Sequence, residues 1–215
     1  MKSPDEVSRL MDSLDEVYPM DGVCYLEYDR PWRLLISTIL SAQCTDSRVN
    51  QVTPGLFAKY PTLDTLAGAN LNELEDCVRS TGFYHSKAIH IIETARMLLD
   101  EFGGELPRTM ESLLKLPGVG RKTANLILGF IYGIPSIIVD THVKRISFKL
   151  GLTTNTDPAK IEIDLSKQLP EEHWTRYNTQ IIAHGRAVCT ARSPKCGICP
   201  LVEFCDEYKF SLVGP

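Results

Sequence analysis

The chain has 215 residues, 43% of them hydrophobic, with seven cysteines and a formal net charge of −4. This length is enough for one large or two small domains with buried cores. No apolar run is long enough to cross a bilayer, and residues 1–6 lack the apolar stretch of a secretory signal. Seven is an odd number and four cysteines cluster near the C-terminus, which argues against a disulfide framework and predicts a metal site in the cytoplasm.

Acidic and basic residues are unevenly distributed along the chain. Residues 1–30 hold eight acidic side chains against three basic ones, whereas residues 111–150 hold six basic side chains against two acidic ones. Arg186, Arg192 and Lys195 form a second basic group beside the clustered cysteines. Such asymmetry can steer nucleic acid to one face despite an acidic total. Basic residues on solvated helix faces would give the same pattern.

Helical spacing of apolar residues organises the first part of the chain. Ser3 or Asp5 can cap a first helix that runs to about Val17, and residues 18–30 are irregular. A strong apolar stripe then predicts a core helix; its members are Trp32, Leu35, Ile36, Ile39 and Leu40.

The next helix is predicted to begin after Thr45 or Asp46 and to break at Pro54, with Thr53 capping a new start. Two short helices follow at residues 63–67 and 71–79. A turn at residues 81–84 then leads into a long helix over residues 85–102.

The second half continues the helical pattern. Its predicted helices cover residues 110–115, 121–132, 141–150, 158–169 and 177–189. Residues 136–139 are the one short run with strand character. The sequence therefore predicts an all-α fold.

One stretch, residues 116–124, joins two of these helices through a loop that contains Gly118 and Gly120. Glycine allows close backbone approach and positive φ, and the helix that begins at Arg121 offers unpaired N–H groups and a positive dipole end. Lys122 projects away from the apolar stripe of that helix. The stretch has the outline of a phosphate clamp. A plain αα-hairpin with a glycine turn is the alternative.

Four cysteines, Cys189, Cys196, Cys199 and Cys205, follow the pattern C-x6-C-x2-C-x5-C. Four soft thiolates in one short loop can bind Zn²⁺ or an iron–sulfur cluster, and the spacing alone does not choose between them. Four buried thiols without a ligand are the third possibility.

Residues 116–124, with the following Gly133, Pro135 and Asp140, resemble the helix-hairpin-helix of the endonuclease III family of base-excision DNA glycosylases. The cysteine pattern is a second, independent match, and the resemblance covers residues 25–207. It implies a helical-barrel domain at 25–135 and a cluster domain of 1–24 plus 136–215. It also implies a DNA groove between the domains and a [4Fe–4S] cluster at 189–205.

The resemblance implies that Lys122 and Asp140 are catalytic. A lysine amine can attack C1′ of a damaged nucleotide and form a Schiff base that leads to β-elimination. A carboxylate can accept the amine's proton and stabilise positive charge on the sugar. A phosphate-binding lysine and an Asp that only caps the following helix are the structural alternatives.

Base excision requires the damaged nucleotide to leave the stack. By resemblance, Gln43 and Phe83 lie where the family inserts residues into DNA, although Phe83 could instead pack under the Gly82 turn. Gly118, Gly120, Arg121, Arg192 and Lys195 are predicted to contact DNA. His142 either contacts phosphate or only occupies the first turn of its helix.

The resulting hypothesis is a bifunctional glycosylase and abasic-site lyase that removes oxidised pyrimidines. Its expected partner is double-stranded DNA with damaged bases or abasic sites. The protein is expected to be monomeric, unattached to membranes and cytoplasmic, and to be associated with the nucleoid if its source is bacterial or archaeal.

An adenine-specific mismatch glycosylase is a rival, but such relatives lack the lysine and extend beyond the position of Pro215. A non-enzymatic DNA-binding module with an iron–sulfur redox switch is a rival of another class, against which Lys122 and Asp140 argue.

Overall fold

The computed structural model describes residues 2–20 and 22–213. Within those ranges it contains α-helices and short 3₁₀ turns and no strand, which confirms the predicted all-α class. In chain order the helices are α1 (Pro4–Val17), α2 (Pro31–Leu40), α3 (Asp46–Lys59), α4 (Leu63–Ala67), α5 (Leu71–Val78), α6 (Tyr84–Phe102), α7 (Met110–Leu113), α8 (Arg121–Tyr132), α9 (Thr141–Lys149), α10 (Pro158–Ser166), α11 (Trp174–Ala187) and α12 (Asp206–Val213).

The chain divides into two compact units. Unit 1 comprises Met1–Val23 and Ile134–Pro215, and unit 2 comprises Cys24–Gly133. The limits expected from the sequence, 1–24 with 136–215 and 25–135, differ from these by one or two residues. Across the described ranges, no helix is both long enough and apolar enough to cross a membrane.

Unit 2 is built around α2, which is buried on nearly all sides from Trp32 to Leu40. A helix that is hydrophobic all round belongs in a core, and α2 packs against α3, α6 and α8. The long helix α6 also packs against α4 and α5. Its buried stripe includes Ala88, Ile91 and Ala95, at the spacing that the sequence predicts.

Unit 1 joins the N-terminal helix to the last third of the chain. The apolar face of α1, which includes Leu10 and Leu14, shares a core with α9, α10 and α11. Polar contacts reinforce this joining: Lys2 pairs with Asp206 at 2.8 Å, and Arg176 pairs with Asp15 at 2.8 Å. The hydroxyls of Tyr177 and Ser147 hydrogen-bond at 2.9 Å inside the core.

The predicted break at Pro54 is wrong, because α3 runs unbroken through it. A proline inside a helix costs about 3 kcal/mol. Buried side chains on both sides of it, Val49 before and Phe57 after, offset that cost. Asn50, whose carbonyl loses its usual donor, is held by its side chain, which bonds to Glu27 and Tyr25.

Several predicted helix ends also shift. α7 stops at Leu113 instead of residue 115, α10 stops at Ser166 instead of 169, and α11 covers Trp174–Ala187 instead of 177–189. Residues 136–139 form no strand. The last helix, α12, is absent from the sequence prediction because its apolar residues follow no helical period.

Candidate active site and cluster site

The turn between α7 and α8 is fixed by contacts inside unit 2. Leu116 and Val119 are buried on either side of it. The Thr94 hydroxyl of α6 donates a hydrogen bond of 2.8 Å to the carbonyl of Pro117. Gly118 has φ +73°, and a Cβ there would lie 2.9 Å from Nδ1 of His90. Only glycine therefore suits this position, for both its backbone angle and its closeness to α6.

Gly120 differs from Gly118 in that its missing side chain leaves open space. A Cβ at Gly120 would meet nothing within 4 Å. Gly120 is the N-cap of α8 and supplies no side-chain acceptor to the helix. The first N–H groups of α8 and its positive dipole end thus lie beside a backbone that a phosphate can approach.

Lys122 lies in the first turn of α8 and is exposed, as is Arg121. The opposite face of the helix, which includes Ala124 and Ile127, is fully buried. The apolar stripe thus orients α8 so that Lys122 is exposed in the helical turn that follows Gly120, as the sequence predicts.

Asp140 is the N-cap of α9, and its Oδ1 accepts a hydrogen bond of 2.8 Å from the Val143 amide. The capping alternative is therefore observed, and it fixes the orientation of a half-buried carboxylate. His142 is half-buried in the first turn of α9. Its ring packs against Gly185 of α11, where a Cβ would overlap it.

Gln43 and Phe83 share an unusual backbone conformation. Their φ angles are +52° and +48°, and they alone among the described non-glycine residues have positive φ. Both side chains are exposed, Phe83 with 65% of its surface accessible. The alternative in which Phe83 packs under the Gly82 turn is therefore wrong. Strained backbone of this kind persists only where surrounding structure enforces it, and it clusters at functional sites.

The four cysteines of residues 189–205 are half-buried. They line one cavity of about 230 Å³ in unit 1, together with apolar side chains that include Ile146, Leu150 and Leu201. Burial raises the pKa of the Cys189 and Cys199 thiols. The four thiols therefore face a common space that is partly shielded from water.

Neighbouring helices hold the cysteine loop in place. Arg145 of α9 donates a hydrogen bond of 2.7 Å to the Cys189 carbonyl. His184 of α11 lies with Nε2 3.7 Å from Sγ of Cys199, and its Nδ1 is 2.9 Å from the Tyr18 hydroxyl. Burial lowers the pKa of His184 to about 4. Sequence reasoning gave neither Tyr18 nor His184 a role beside the cysteines, since their contacts arise only on folding.

The two basic residues of the loop, Arg192 and Lys195, are both exposed. The Lys195 amine donates to the Ala187 carbonyl at 3.1 Å, and its backbone N–H donates to Val188 at 3.0 Å. Lys195 is therefore ordered against the end of α11, whereas Arg192 lies at the outer part of the loop.

Comparison with known proteins places these features in one family. Residues 36–171 match the family model described as HhH-GPD superfamily base excision DNA repair protein, and residues 189–205 match the iron–sulfur binding domain of endonuclease III. Endonuclease III of Synechocystis sp. is 51% identical over 199 residues, which cover 92% of this chain and 90% of the relative. The chain belongs to the endonuclease III family.

Other members of the endonuclease III family are similar over most of their length. The Escherichia coli protein is 38% identical, with 86% of this chain and 87% of the relative covered. A structure of a non-covalent endonuclease III–DNA complex matches with a TM-score of 0.92 and 41% identity over the whole of both chains. A trapped covalent endonuclease III–DNA intermediate matches equally well, over 99% of this chain and 100% of the other. As a family member, the protein is a base-excision DNA glycosylase and abasic-site lyase.

Membership in the endonuclease III family also assigns a [4Fe–4S] cluster to the protein. The shape of the cysteine site fits that cofactor. One Zn²⁺ ion would draw four sulfurs to about 2.3 Å from a single point. The four thiols instead line one cavity of about 230 Å³ with other side chains of unit 1, so the soft sulfur donors that an iron–sulfur cluster needs border a common space. Among the described residues, no three His, Cys, Asp or Glu side chains form a site for a single ion.

Proposed function

We propose that the enzyme removes oxidised pyrimidines from double-stranded DNA and then cleaves the strand through a Schiff base on Lys122. The observation that carries this proposal is the exposed Lys122 amine in the first turn of α8, beside a glycine whose missing side chain leaves room for a backbone to approach. The sequence left two interpretations of Lys122, a nucleophile and a phosphate-binding lysine, and only the nucleophile accounts for the lyase activity of the family.

The proposed reaction begins when the neutral Lys122 amine attacks C1′ of the damaged nucleotide. A C1′–N bond forms as the bond to the base breaks, and the base leaves with that electron pair and a proton. Sugar-ring opening gives the Schiff base. Loss of a C2′ proton then expels the 3′ phosphate, and hydrolysis of the imine restores the lysine.

Asp140 is proposed to accept the proton that the Lys122 amine loses and to stabilise positive charge on the sugar. The hydrogen bond from Val143 engages one carboxylate oxygen at 2.8 Å and fixes the plane of the group. The other oxygen can then take the proton. The same residue thus caps α9 and serves the chemistry.

DNA is the proposed partner, as it is in the solved complexes of the two similar structures. The hairpin, through Gly118, Gly120 and Arg121, is proposed to bind phosphates at the start of α8. His142, Arg192 and Lys195 are proposed to add contacts to the backbone from unit 1. We further propose that the enzyme works as a cytoplasmic monomer at the nucleoid.

Gln43 and Phe83 are proposed to fill the space left when the damaged nucleotide leaves the stack. Both side chains are exposed on turns whose backbone is held in the left-handed region. An apolar wedge such as Phe83 can replace stacking that the extruded base gives up.

We propose that the four cysteines ligate the [4Fe–4S] cluster, which supplies four strong bonds that close residues 189–205 into one folded loop. Through these bonds the cluster would hold Arg192 and Lys195 in position, in a structural role.

Reductive trapping on DNA with an abasic site tests the nucleophile directly. Borohydride should link the wild-type enzyme to DNA covalently, and Lys122→Ala should abolish the linkage because no amine remains to form the Schiff base. Lys160→Ala is the matched control, since Lys160 is another exposed lysine in the first turn of a helix, α10. Undiminished trapping by Lys122→Ala would overturn the assignment.

A further inference from the structure

Lys87 of α6 is a buried lysine in a part of unit 2 that the proposed chemistry does not use. Only 3% of it is exposed. Its ammonium donates one hydrogen bond of 2.8 Å to the Leu40 carbonyl and another of 2.8 Å to the Thr81 carbonyl. Lysine is almost never buried unless it is paired. Because burying a lysine costs free energy, its two hydrogen bonds must offset that cost.

Both acceptors lie where a helical segment ends. Leu40 is the last residue of α2, and Thr81 is the last residue of a 3₁₀ turn, Arg79–Thr81. Carbonyls at a helix C-terminus lack intrahelical donors and carry the negative end of the dipole, so a cation there is favourable. Burial lowers the pKa of Lys87, against an opposing effect of Cys44, and the two carbonyls give the ammonium hydrogen-bond acceptors in place of water.

The two segments that Lys87 joins lead directly into the turns that carry Gln43 and Phe83. Gln43 follows Leu40 by three residues, and Phe83 follows Thr81 by two. The backbone N–H of Lys87 also donates to the Phe83 carbonyl at 3.1 Å. Lys87 therefore holds one turn through its ammonium and its backbone, and the other turn through its ammonium.

We propose that Lys87 is a positioning residue that holds the Gln43 and Phe83 turns at a fixed separation, ready to enter DNA together. This inference rests on the proposed insertion of Gln43 and Phe83. Residues with positive φ keep that conformation only when several contacts enforce it. Extruding a nucleotide costs a few kcal/mol of stacking and pairing. Side chains already in position recover more of that cost than side chains that must first be ordered.

A lysine suits this task better than an apolar side chain. An apolar residue would fill the same volume but would let the ends of the two segments slide past each other. Two directed hydrogen bonds from one nitrogen set the separation of Leu40 and Thr81 to the reach of a single ammonium.

The test compares Lys87→Met on two substrates, an abasic site in a duplex and the same site in a single strand. The duplex requires insertion, whereas the single strand has no partner strand to displace. A misplacement of about 1 Å can cost about 10²-fold in rate. The single-turnover cleavage rate on duplex should therefore fall by about 10- to 100-fold, and the rate on single strand should stay within about twofold.

Thr38→Val is the matched control for lost stability. The Thr38 hydroxyl is buried and donates a hydrogen bond of 2.8 Å to the Leu34 carbonyl within α2. Its removal therefore weakens the core without freeing either turn. Thr38→Val should lower the melting temperature and leave the duplex-to-single-strand ratio unchanged. If Lys87→Met does not fold, Lys87→Gln is tested in its place. Because glutamine keeps one donor group, the ratio of the duplex rate to the single-strand rate should fall by a smaller factor.

A coupling measurement separates positioning from general support. In a Gln43→Ala, Phe83→Ala background, Lys87→Met should cost little more on duplex, because the side chains it positions are gone. An equal loss in both backgrounds, or a loss of the same size on single strand, would overturn the inference about Lys87. Unchanged duplex activity of the Gln43→Ala, Phe83→Ala enzyme would overturn the insertion proposal and this inference with it, while Lys122 trapping would still test the nucleophile separately.

Discussion

The hairpin of unit 2 and the cysteine loop of unit 1 differ in how much buried surface stabilises them. The hairpin is held by protein groups alone, through buried Leu116 and Val119, the Thr94 hydrogen bond and the close fit of Gly118 to His90. The cysteine loop, residues 189–205, contains two 3₁₀ turns and, by contrast, buries few side chains. The hairpin is therefore stabilised mainly by its own packing, whereas the cysteine loop has less buried surface and would gain more from a bound cluster.

This difference assigns separate tasks to the two units. Unit 2 carries the proposed nucleophile and the proposed inserted residues on turns that are braced from within. Unit 1 carries the proposed proton acceptor at a helix cap and the basic loop that is proposed to bind the cluster. A substitution that disrupts the fold of one unit should therefore leave the fold of the other unit intact.

The largest effect is expected from removing a proposed cluster ligand. Cys196→Ala should lose iron and acid-labile sulfide, of which the wild type should contain four each by the stoichiometry of the cluster. Amide exchange should then rise across residues 189–205 and stay slow in α6 and α8. Cys77→Ala is the control, since Cys77 is a half-buried cysteine of α5 in unit 2 and should keep full iron content. One zinc per chain without sulfide would contradict the cluster assignment.

Asp140→Asn should lower base excision by at least about 100-fold, because a positioned acid–base group and its charge are lost. Asparagine is as good an N-cap as aspartate, so α9 should remain intact. DNA binding should persist, since one negative charge is removed.

Asp157→Asn provides the matched control for Asp140. Asp157 caps α10 in the same way, because its Oδ1 accepts a hydrogen bond of 3.0 Å from the Lys160 amide. Its substitution should leave excision unchanged. If the two variants behaved alike, Asp140 would be only a cap.

The two hairpin glycines should respond differently to alanine. Gly118→Ala should destabilise unit 2 by about 1–2 kcal/mol, because it forces a side chain into positive φ and against His90. Gly120→Ala should destabilise unit 2 less than Gly118→Ala does, since its Cβ meets open space and only the preference for glycine at the N-cap of α8 is lost.

Both hairpin variants should nevertheless weaken DNA binding, which titration with fluorescent duplex would measure. Gly118→Ala acts by moving the turn, and Gly120→Ala acts by blocking approach of the backbone. Normal DNA affinity in Gly120→Ala would argue against a phosphate site at the start of α8.

The smallest effect concerns His173 in unit 1. Burial, followed by the nearby Arg176, lowers the pKa of His173 below its ordinary value of 6.5, against the opposing pull of Asp15, Glu172 and Asp12. At pH values between the lowered pKa and 6.5, the unfolded chain binds more protons than the folded protein. The contribution of neutral His173 to the free energy of unfolding is therefore complete above pH 6.5 and is lost as the pH falls.

Urea unfolding at pH 7.5 and pH 5.5 measures this dependence. His173→Asn should show a smaller loss of unfolding free energy between the two pH values than the wild type shows. Equal losses would mean that other groups produce the pH dependence of unit 1.

The sequence predicted well wherever one helix decided the outcome. Apolar spacing set α6 and the face of α8 that leaves Lys122 exposed, and Ser3 caps α1 as expected. Prediction was wrong where tertiary contacts outweighed local preference, as at Pro54. It had no access to features that arise between distant segments, such as Lys87 between Leu40 and Thr81 or His184 beside Cys199.

The joining of α1 to the last third of the chain has a consequence for synthesis on the ribosome. The apolar face of α1 packs on residues between Ile137 and Phe204, all of which are translated after the whole of unit 2. At about 5–20 residues per second, the intervening stretch of about 110 residues takes about 5–20 s to emerge. Unit 2 can fold during that interval, while the apolar stripe of α1 stays unburied until the residues that it packs against have been translated. Helix α1 therefore leaves the ribosome before unit 2, but its apolar face is buried only after unit 2 has emerged.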